Sequence, residues 1–315
     1  MSLAAQAATF FSVLGQNETY MAQSGVTPGS NSGNKIHGDD GNDYIYSVGT
    51  QNFLYGGNDN DEIYSLGDYN NIDGGSGNNK LYVKGSYNTV TAENGNNTVN
   101  ILGNHNNTTL GNGNNTYYTP GTYNSAKFGN GTNTYVSEGA RNSAIFGNGN
   151  NTYTATGNYN SGTFGNGNNT ITSLGDYSKI IAGHGNNTAI TLGNYTYSQF
   201  GNGNNTFAYY GNYTSAKFGD GNNYIGTLDH AIADGHFTSY AEYFRQNYTQ
   251  AVTTINSQTG KSYSGRLVSG IHDTSISIGT GSNTIRLTAS KKPTITGFDV
   301  ENEKNKILVH GQYVL

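Results

Sequence analysis

Acidic residues with metal-binding chemistry are concentrated in two short segments near the start of the chain. The segments read Gly38-Asp39-Asp40-Gly41-Asn42-Asp43-Tyr44-Ile45-Tyr46 and Gly56-Gly57-Asn58-Asp59-Asn60-Asp61-Glu62-Ile63-Tyr64. Carboxylate and carbonyl oxygens are the ligands that a hard cation such as Ca²⁺ prefers. From Asn79 onward, the position that Asp43 and Asp61 occupy holds Asn, which lacks the charge. We therefore expect Ca²⁺ only near residues 38–61. The alternative is that both carboxylates are solvated at turn corners.

A second group of titratable residues lies nearer the C-terminus, within one zone of 45 residues. It comprises Asp229, His230, Asp234, His236, His272 and Asp273. His beside a carboxylate is suited to hydrolysis or metal binding. The spacing is irregular, however, and neither a nucleophile elbow nor an HExxH motif is present. We expect no catalytic site and no organic cofactor, and a polysaccharide-modifying enzyme is the least favoured function.

Composition excludes several classes of protein. The chain has 315 residues, a formal charge of −5, 46 Gly, 11% charged residues and no Cys. No stretch approaches the ~18–20 apolar residues of a membrane span, and no basic stripe suits a nucleic acid. Without Cys there is no disulfide framework. Membrane insertion and nucleic-acid partners are therefore not expected, which leaves low-complexity disorder or a repeat fold.

A Gly-x-Gly-Asn-Asn-Thr phrase returns every 18 residues without insertion. The eleven copies begin at Asp39, Gly57, Gly75, Glu93, Gly111, Gly129, Gly147, Gly165, Gly183, Gly201 and Gly219. Disordered low-complexity sequence has no reason to keep such a register, whereas stacked turns must keep it. The repeat predicts an all-β fold, a parallel β-solenoid of eighteen-residue turns over residues 36–228.

Two apolar columns predict the strands of each turn. Six residues after each copy begins stand Ile45, Ile63, Leu81, Val99, Tyr117, Tyr135, Tyr153, Ile171, Ala189, Phe207 and Ile225. Just before a copy begins stand Phe128, Phe146, Phe164, Phe200 and Phe218, which we predict to form an aromatic core ladder. Because side chains alternate faces along a strand, each turn should contribute two short strands whose inner faces oppose each other.

Polar columns run beside the apolar ones. An Asn ladder is expected at Asn97, Asn115, Asn151, Asn169, Asn187 and Asn205, because a stacked amide donates to one neighbouring turn and accepts from the other. A Tyr column is formed by Tyr69, Tyr87, Tyr123, Tyr159, Tyr177, Tyr195 and Tyr213. These rings suit stacking on sugars, or they pack on one another.

Two resemblances add to these patterns. The two acidic segments resemble the Gly-Gly-x-Gly-x-Asp-x-hydrophobic-x nonapeptide of RTX proteins. That resemblance implies a parallel β-roll that binds Ca²⁺ between turns, with ligands at Asp39, Gly41, Asp43, Gly57, Asp59 and Asp61. It also implies type I secretion through an uncleaved C-terminal signal, and so an extracellular or cell-surface location. The repeat also contains Asn-x-Asn arrays such as Asn112-Gly-Asn114 and Asn148-Gly-Asn150, which are similar to the Thr-x-Asn arrays of calcium-dependent bacterial antifreeze solenoids.

The ends of the chain are predicted to cap the repeats. Residues 1–35 form the N-terminal cap, with a short amphipathic helix over residues 1–15 indicated by Leu3, Ala7 and Phe10. Residues 229–315 form the C-terminal cap, with a helix that begins at the capping box Ser239-x-x-Glu242. One more repeat phrase covers residues 279–285, and the secretion signal that the RTX resemblance implies would follow it.

These observations favour a non-enzymatic secreted structural protein that assembles with itself into extracellular matrix, a surface layer or filaments. The copies from residue 93 to 218 contain few charged residues, so little electrostatic repulsion keeps two rods apart. The alternative is a solenoid that binds ice or polysaccharide, as an antifreeze protein or adhesin does.

Overall fold

The computed structural model describes residues 10–12, 19–22, 33–227, 275–277, 284–287, 294–296, 306–309 and 312–313. Over these residues the chain is an all-β parallel solenoid, in which successive strands alternate between two sheets up to the last strand, which is antiparallel to the one before it. The predicted fold class is confirmed. The alternation follows from the sequence, because each turn carries two short segments with apolar residues at every second position.

We number the strands in chain order and call the two sheets A and B. Sheet A contains β1 (Phe10–Ser12), β3 (Lys35–Asp40), β5 (Phe53–Asn58), β7 (Asn71–Asp73), β9 (Thr89–Ala92), β11 (Asn107–Leu110), β13 (Ser125–Phe128), β15 (Ser143–Ile145), β17 (Ser161–Thr163), β19 (Lys179–Ala182), β21 (Tyr197–Phe200), β23 (Ser215–Phe218), β25 (Ser275–Ser277) and β27 (Thr294–Thr296). Sheet B contains β2 (Thr19–Ala22), β4 (Tyr44–Val48), β6 (Glu62–Leu66), β8 (Lys80–Lys84), β10 (Thr98–Leu102), β12 (Thr116–Thr119), β14 (Thr134–Ser137), β16 (Thr152–Ala155), β18 (Thr170–Ser173), β20 (Thr188–Thr191), β22 (Thr206–Tyr209), β24 (Tyr224–Thr227), β26 (Thr284–Leu287), β28 (Lys306–Val309) and β29 (Gln312–Tyr313).

Between β3 and β24 the register of both sheets equals the sequence repeat. Ile45 pairs with Ile63, and Ile63 pairs with Leu81, each 18 residues further along. From β3 to β24 this gives eleven consecutive turns, a rod of about 50 Å at the usual strand spacing. Equivalent side chains therefore stack directly on one another along the whole rod.

The core lies between the two sheets and is built from the predicted columns. Phe128 is buried, and its ring stacks on Phe146 with centroids 4.8 Å apart. From the opposite sheet, Tyr117 and Tyr135 stack at 5.2 Å, and Tyr117 meets the Phe128 ring edge-on at 6.1 Å. Offset stacks and edge-on contacts are the favourable arrangements of aromatic rings. The predicted inward orientation of the Phe column is confirmed.

One glycine column fixes how closely the turns approach. Gly149 has a φ of 136°, and a Cβ there would lie 2.0 Å from the carbonyl oxygen of Gly131 in the preceding turn. A side chain is excluded both by the backbone conformation and by the neighbouring turn. This explains why the third position of the repeat phrase is Gly throughout the later turns.

The two ends differ from the prediction in part. Phe10–Ser12, inside the predicted N-terminal helix, form a strand paired in parallel with β3, so the helix is wrong at these residues. The sheet edge offers backbone partners that spacing alone does not reveal. The helix predicted from Ser239 lies outside the described residues. The extra repeat phrase leads into β26, which pairs with β24 and lengthens the solenoid.

Candidate functional site

Asp43 and Asp61 lie at the corner of the solenoid that leads into sheet B. Their side chains are only 2% and 1% exposed, so the alternative of solvated carboxylates is wrong. Asp61 Oδ1 accepts a hydrogen bond from the Asp43 backbone N–H at 2.8 Å. The Asp61 N–H donates in turn to Asn79 Oδ1 at 2.8 Å. The two carboxylates are thus the first members of the column that continues as Asn.

The second oxygen of Asp61 has a different environment. Oδ2 is buried and has no hydrogen-bond donor among the described residues. A Cβ built on Gly56 would lie 2.3 Å from this oxygen and 2.7 Å from the Gly74 carbonyl oxygen. One turn earlier, a Cβ on Gly38 would lie 2.4 Å from both Asp43 Oδ2 and the Gly56 carbonyl oxygen. In each turn a carboxylate oxygen and a backbone carbonyl oxygen lie on the side of a glycine where other residues carry a Cβ. Oxygen donors of these two kinds fit Ca²⁺.

The ionised form of Asp61 is energetically unfavourable at this buried position. The pKa of Asp61 is raised to about 7, mainly by burial; the hydrogen bond from the Asp43 backbone lowers it, and the nearby carboxylates of Asp43 and Asp59 contribute to the rise. Desolvation disfavours the ionised form of a carboxyl group. A proton or a cation is therefore needed to neutralise this corner near neutral pH.

The remaining residues that were predicted as ligands offer backbone carbonyl oxygens to this corner. Their side chains do not form a cluster of carboxylates. Asp39 and Asp59 have positive φ values of 67° and 78°, and the Asp59 side chain is exposed. The carbonyl oxygen of Asp39 lies against Gly57, where a Cβ would approach it to 1.9 Å. Gly41 also has a positive φ, of 116°. Within the described ranges, no three His, Cys, Asp or Glu side chains come together as a metal-binding group.

The Asn ladder occupies the same corner in the later turns. Asn115 Oδ1 accepts from the Asn97 N–H at 3.0 Å. Asn115 Nδ2 donates to the carbonyl oxygens of Gly111 and Gly113 at 3.1 and 3.2 Å and to Asn133 Oδ1 at 3.0 Å. The same pattern recurs at the other predicted members of the ladder, Asn97, Asn151, Asn169, Asn187 and Asn205. Each buried amide is satisfied as both donor and acceptor.

A second feature is an exposed column, which we call the aromatic edge. Its members are Tyr69, Tyr87, His105, Tyr123, Arg141, Tyr159, Tyr177, Tyr195 and Tyr213. Neighbouring rings stack at 4.6–5.0 Å with interplanar angles of 2–9°. The Arg141 guanidinium fills the gap between two rings, with Cζ 5.3 Å from the Tyr123 centroid and 5.0 Å from the Tyr159 centroid. It also donates to the Tyr123 hydroxyl.

The Tyr residues of this edge were identified from the sequence, whereas His105 and Arg141 were not. The eighteen-residue period places both in the column, so position rather than residue type was the signal. Because each ring is covered on its faces by its neighbours, the edge presents ring edges and hydroxyl groups to solvent. This is the geometry of the self-packing ladder, and it leaves no free ring face for a sugar within the stack.

All nine members of the aromatic edge adopt a left-handed backbone conformation, with φ between 55° and 61°. Gly and Asn tolerate this conformation best, and bulky residues are uncommon in it. A chain with Asn in so many other columns nevertheless places Tyr here. Residues held in unfavourable backbone regions point to a use for the side chain.

A groove of about 500 Å³ lies beside the first members of the aromatic edge. Its walls include Phe53, Tyr69 and Tyr87 together with the polar side chains of Asn71 and Thr89. The groove is open to solvent and combines rings with hydrogen-bonding groups.

The His and Asp residues between 229 and 273 lie outside the described residues. In the described part of the chain, no helix has the length and apolar character that crossing a membrane requires. Comparison with protein families, with characterised proteins and with solved structures finds no match to this chain.

Proposed function

We propose that the protein is a non-enzymatic, secreted structural rod that associates with itself into extracellular filaments, sheets or matrix. The observation that carries the proposal is the pairing of low charge with repetition. Between residues 93 and 218 the charged residues are Glu93, Lys127, Glu138, Arg141, Asp176, Lys179 and Lys217. Few charges mean little repulsion, and columns repeated at every turn match those of a second rod.

Lateral contact is the favoured route of association. At the far end of sheet B, β29 runs antiparallel to β28 and pairs with Leu308 and Val309. An antiparallel strand at this edge interrupts the parallel pattern that end-to-end stacking would have to continue. The long faces of the rod remain as the surfaces through which copies meet.

Electron microscopy of the full-length protein tests the proposal. Filaments or sheets are expected, and light scattering should show an increase in mass with concentration. The experiment is run with and without Ca²⁺ and from neutral to mildly acidic pH. A protein that stays monomeric at high concentration under all these conditions refutes it.

We further propose that the chain is an RTX-like protein that binds Ca²⁺ only in its first turns. Asp43 and Asp61 would hold the ion together with backbone carbonyl oxygens, and the buried, donor-free Oδ2 of Asp61 supports this. Bound Ca²⁺ would supply positive charge to the corner. Calorimetric titration should give heat with the wild type and none with the Asp43→Asn/Asp61→Asn variant. Equal heats would contradict the assignment.

A saccharide-binding protein is the second candidate function, supported by the groove beside the aromatic edge. Phe53 offers a ring, and Asn71 and Thr89 offer hydrogen-bonding groups. A glycan array would reveal such binding. Binding that survives Asn71→Ala and Phe53→Ala would exclude the groove as its site.

A further inference from the structure

The aromatic edge is large enough to be a protein interface. Its Tyr rings are 43–58% exposed, and His105 and Arg141 are exposed as well. A half-exposed Tyr offers roughly 100 Å², so nine members offer about 900 Å². Standard interfaces bury about 600–1,000 Å² on each partner. Contiguous exposed strips of this size mark interaction sites on soluble proteins.

A second copy of this chain is the partner that the chemistry of the edge fits. The ring faces are covered within the stack, so a partner must meet ring edges and hydroxyl groups at a spacing of 4.6–5.0 Å. Another aromatic edge has that spacing throughout. The edge contains no Asp or Glu, and Arg141 is its permanent cation. An anion beside the aromatic edge of the second copy would therefore pair with Arg141 and so determine how the two copies align.

The column immediately before the aromatic edge supplies that anion. Its acidic members are Asp68 and Asp176, and the others are uncharged: Ser86, Asn104, Thr122, Ala140, Asn158, Asn194 and Asn212. Asp176 is half-buried, with Oδ1 accepting from the Asn194 N–H at 2.7 Å.

We propose that two copies associate antiparallel along their aromatic edges, with a two-fold axis at Tyr159. This rests on the proposed self-association. The arrangement brings Arg141 of each copy beside Asp176 of the other and overlaps seven members, from His105 to Tyr213, which is about 700 Å² on each copy. An axis at His105 would use Asp68 but overlap only five members. An axis at Arg141 would place the two Arg141 guanidinium groups, which carry like charges, opposite each other. A two-fold interface contains every contact twice.

Single-cysteine cross-linking tests the alignment, because the chain has no Cys of its own. Tyr rings that meet edge to edge hold the two backbones further apart than the ~7 Å between Cα atoms that a disulfide allows, so a bifunctional thiol reagent is used to span the two side chains. Tyr159→Cys lies on the axis and should form a covalent dimer with this reagent. Tyr213→Cys alone should not, but it should cross-link when mixed with His105→Cys. Self-cross-linking of Tyr213→Cys as fast as Tyr159→Cys overturns the alignment. So does the absence of a Tyr159→Cys dimer where light scattering shows association.

A charge reversal gives an independent test that needs no cross-link. Arg141→Glu and Asp176→Lys should each raise the concentration for half-association at least tenfold, and the double variant should restore it. Lys127→Glu, exposed on β13, is the control that should leave association unchanged. Circular dichroism establishes that each variant is folded. If both single variants associate normally, the aromatic edge is not the interface, but the proposed function is unaffected. A wild type that never associates refutes both.

Discussion

The first turns and the later turns of the rod differ by one atom at the same buried corner. In the later turns, a carboxamide such as that of Asn115 accepts from one turn and donates to backbone and side-chain oxygens. In the first turns the carboxylate of Asp61 only accepts, and one of its oxygens is buried without a donor. The strands that follow this corner keep the same eighteen-residue register in both regions. The Asn amide satisfies the hydrogen-bonding groups of this corner by itself. When oxygen replaces its donor nitrogen, the corner needs a proton or a cation.

Placing a carboxylate in the later turns should have the largest effect. Asn133→Asp removes the donor to Gly129 O, Gly131 O and Asn151 Oδ1, at 3.0–3.3 Å, and buries a charge among oxygens. We expect a loss of about 3 kcal/mol in the free energy of unfolding, measured by chemical denaturation. Asn130→Asp is the matched control, because Asn130 is exposed and its role as acceptor from the Asn148 N–H is retained. Equal losses in the two variants would contradict the account.

The reverse change should strengthen the first turns. Without added cation at pH 8, Asp61→Asn should stabilise them by about 1–2 kcal/mol, because the amide gains donors and removes a buried charge. Hydrogen exchange over residues 43–66 measures the gain. Asp59→Asn, at an exposed side chain, should change little. Faster exchange in Asp61→Asn would show that the carboxylate is satisfied as it stands.

The pH dependence of the first turns should follow from the pKa of Asp61, raised by burial to about 7 from 3.8. Between these values the folded state binds more protons than the unfolded state, so stability falls as pH rises from about 4 to about 7. Hydrogen exchange at a series of pH values, corrected for the intrinsic rate, should show this in residues 43–66 without Ca²⁺. Exchange in the later turns should show no such slope. A wild-type slope that persists in Asp61→Asn would assign it to another group.

The smallest effect is expected at the exposed surface of the later turns. Arg141→Ala removes a cation between the rings of Tyr123 and Tyr159, and an exposed contact of this kind contributes about 0.5–1 kcal/mol. Thermal denaturation should show a shift far smaller than that of Asn133→Asp. A comparable shift would mean that the outer edge, and not the buried corner, holds the later turns together.

The solenoid was predictable because the sequence repeats every 18 residues. Since side chains alternate faces along a strand, the apolar positions of each repeat then define two inner faces. The state of Asp43 and Asp61 was not predictable, because acidic side chains are ordinarily solvated. Yet both share a column with Asn79, and stacking gives every member of a column the same environment. Phe10 was assigned to a helix from local spacing, whereas its pairing with Lys35 depends on a distant strand. Column position is the more informative signal in this chain.

Hydrogen exchange resolved by turn, at pH 7.5 with and without Ca²⁺, tests the central claim most directly. The account predicts that Ca²⁺ slows exchange in residues 36–66 and leaves residues 93–227 unchanged, because only the first turns carry carboxylates at the buried corner. Protection spread evenly along the rod, or no change in residues 36–66, would contradict it.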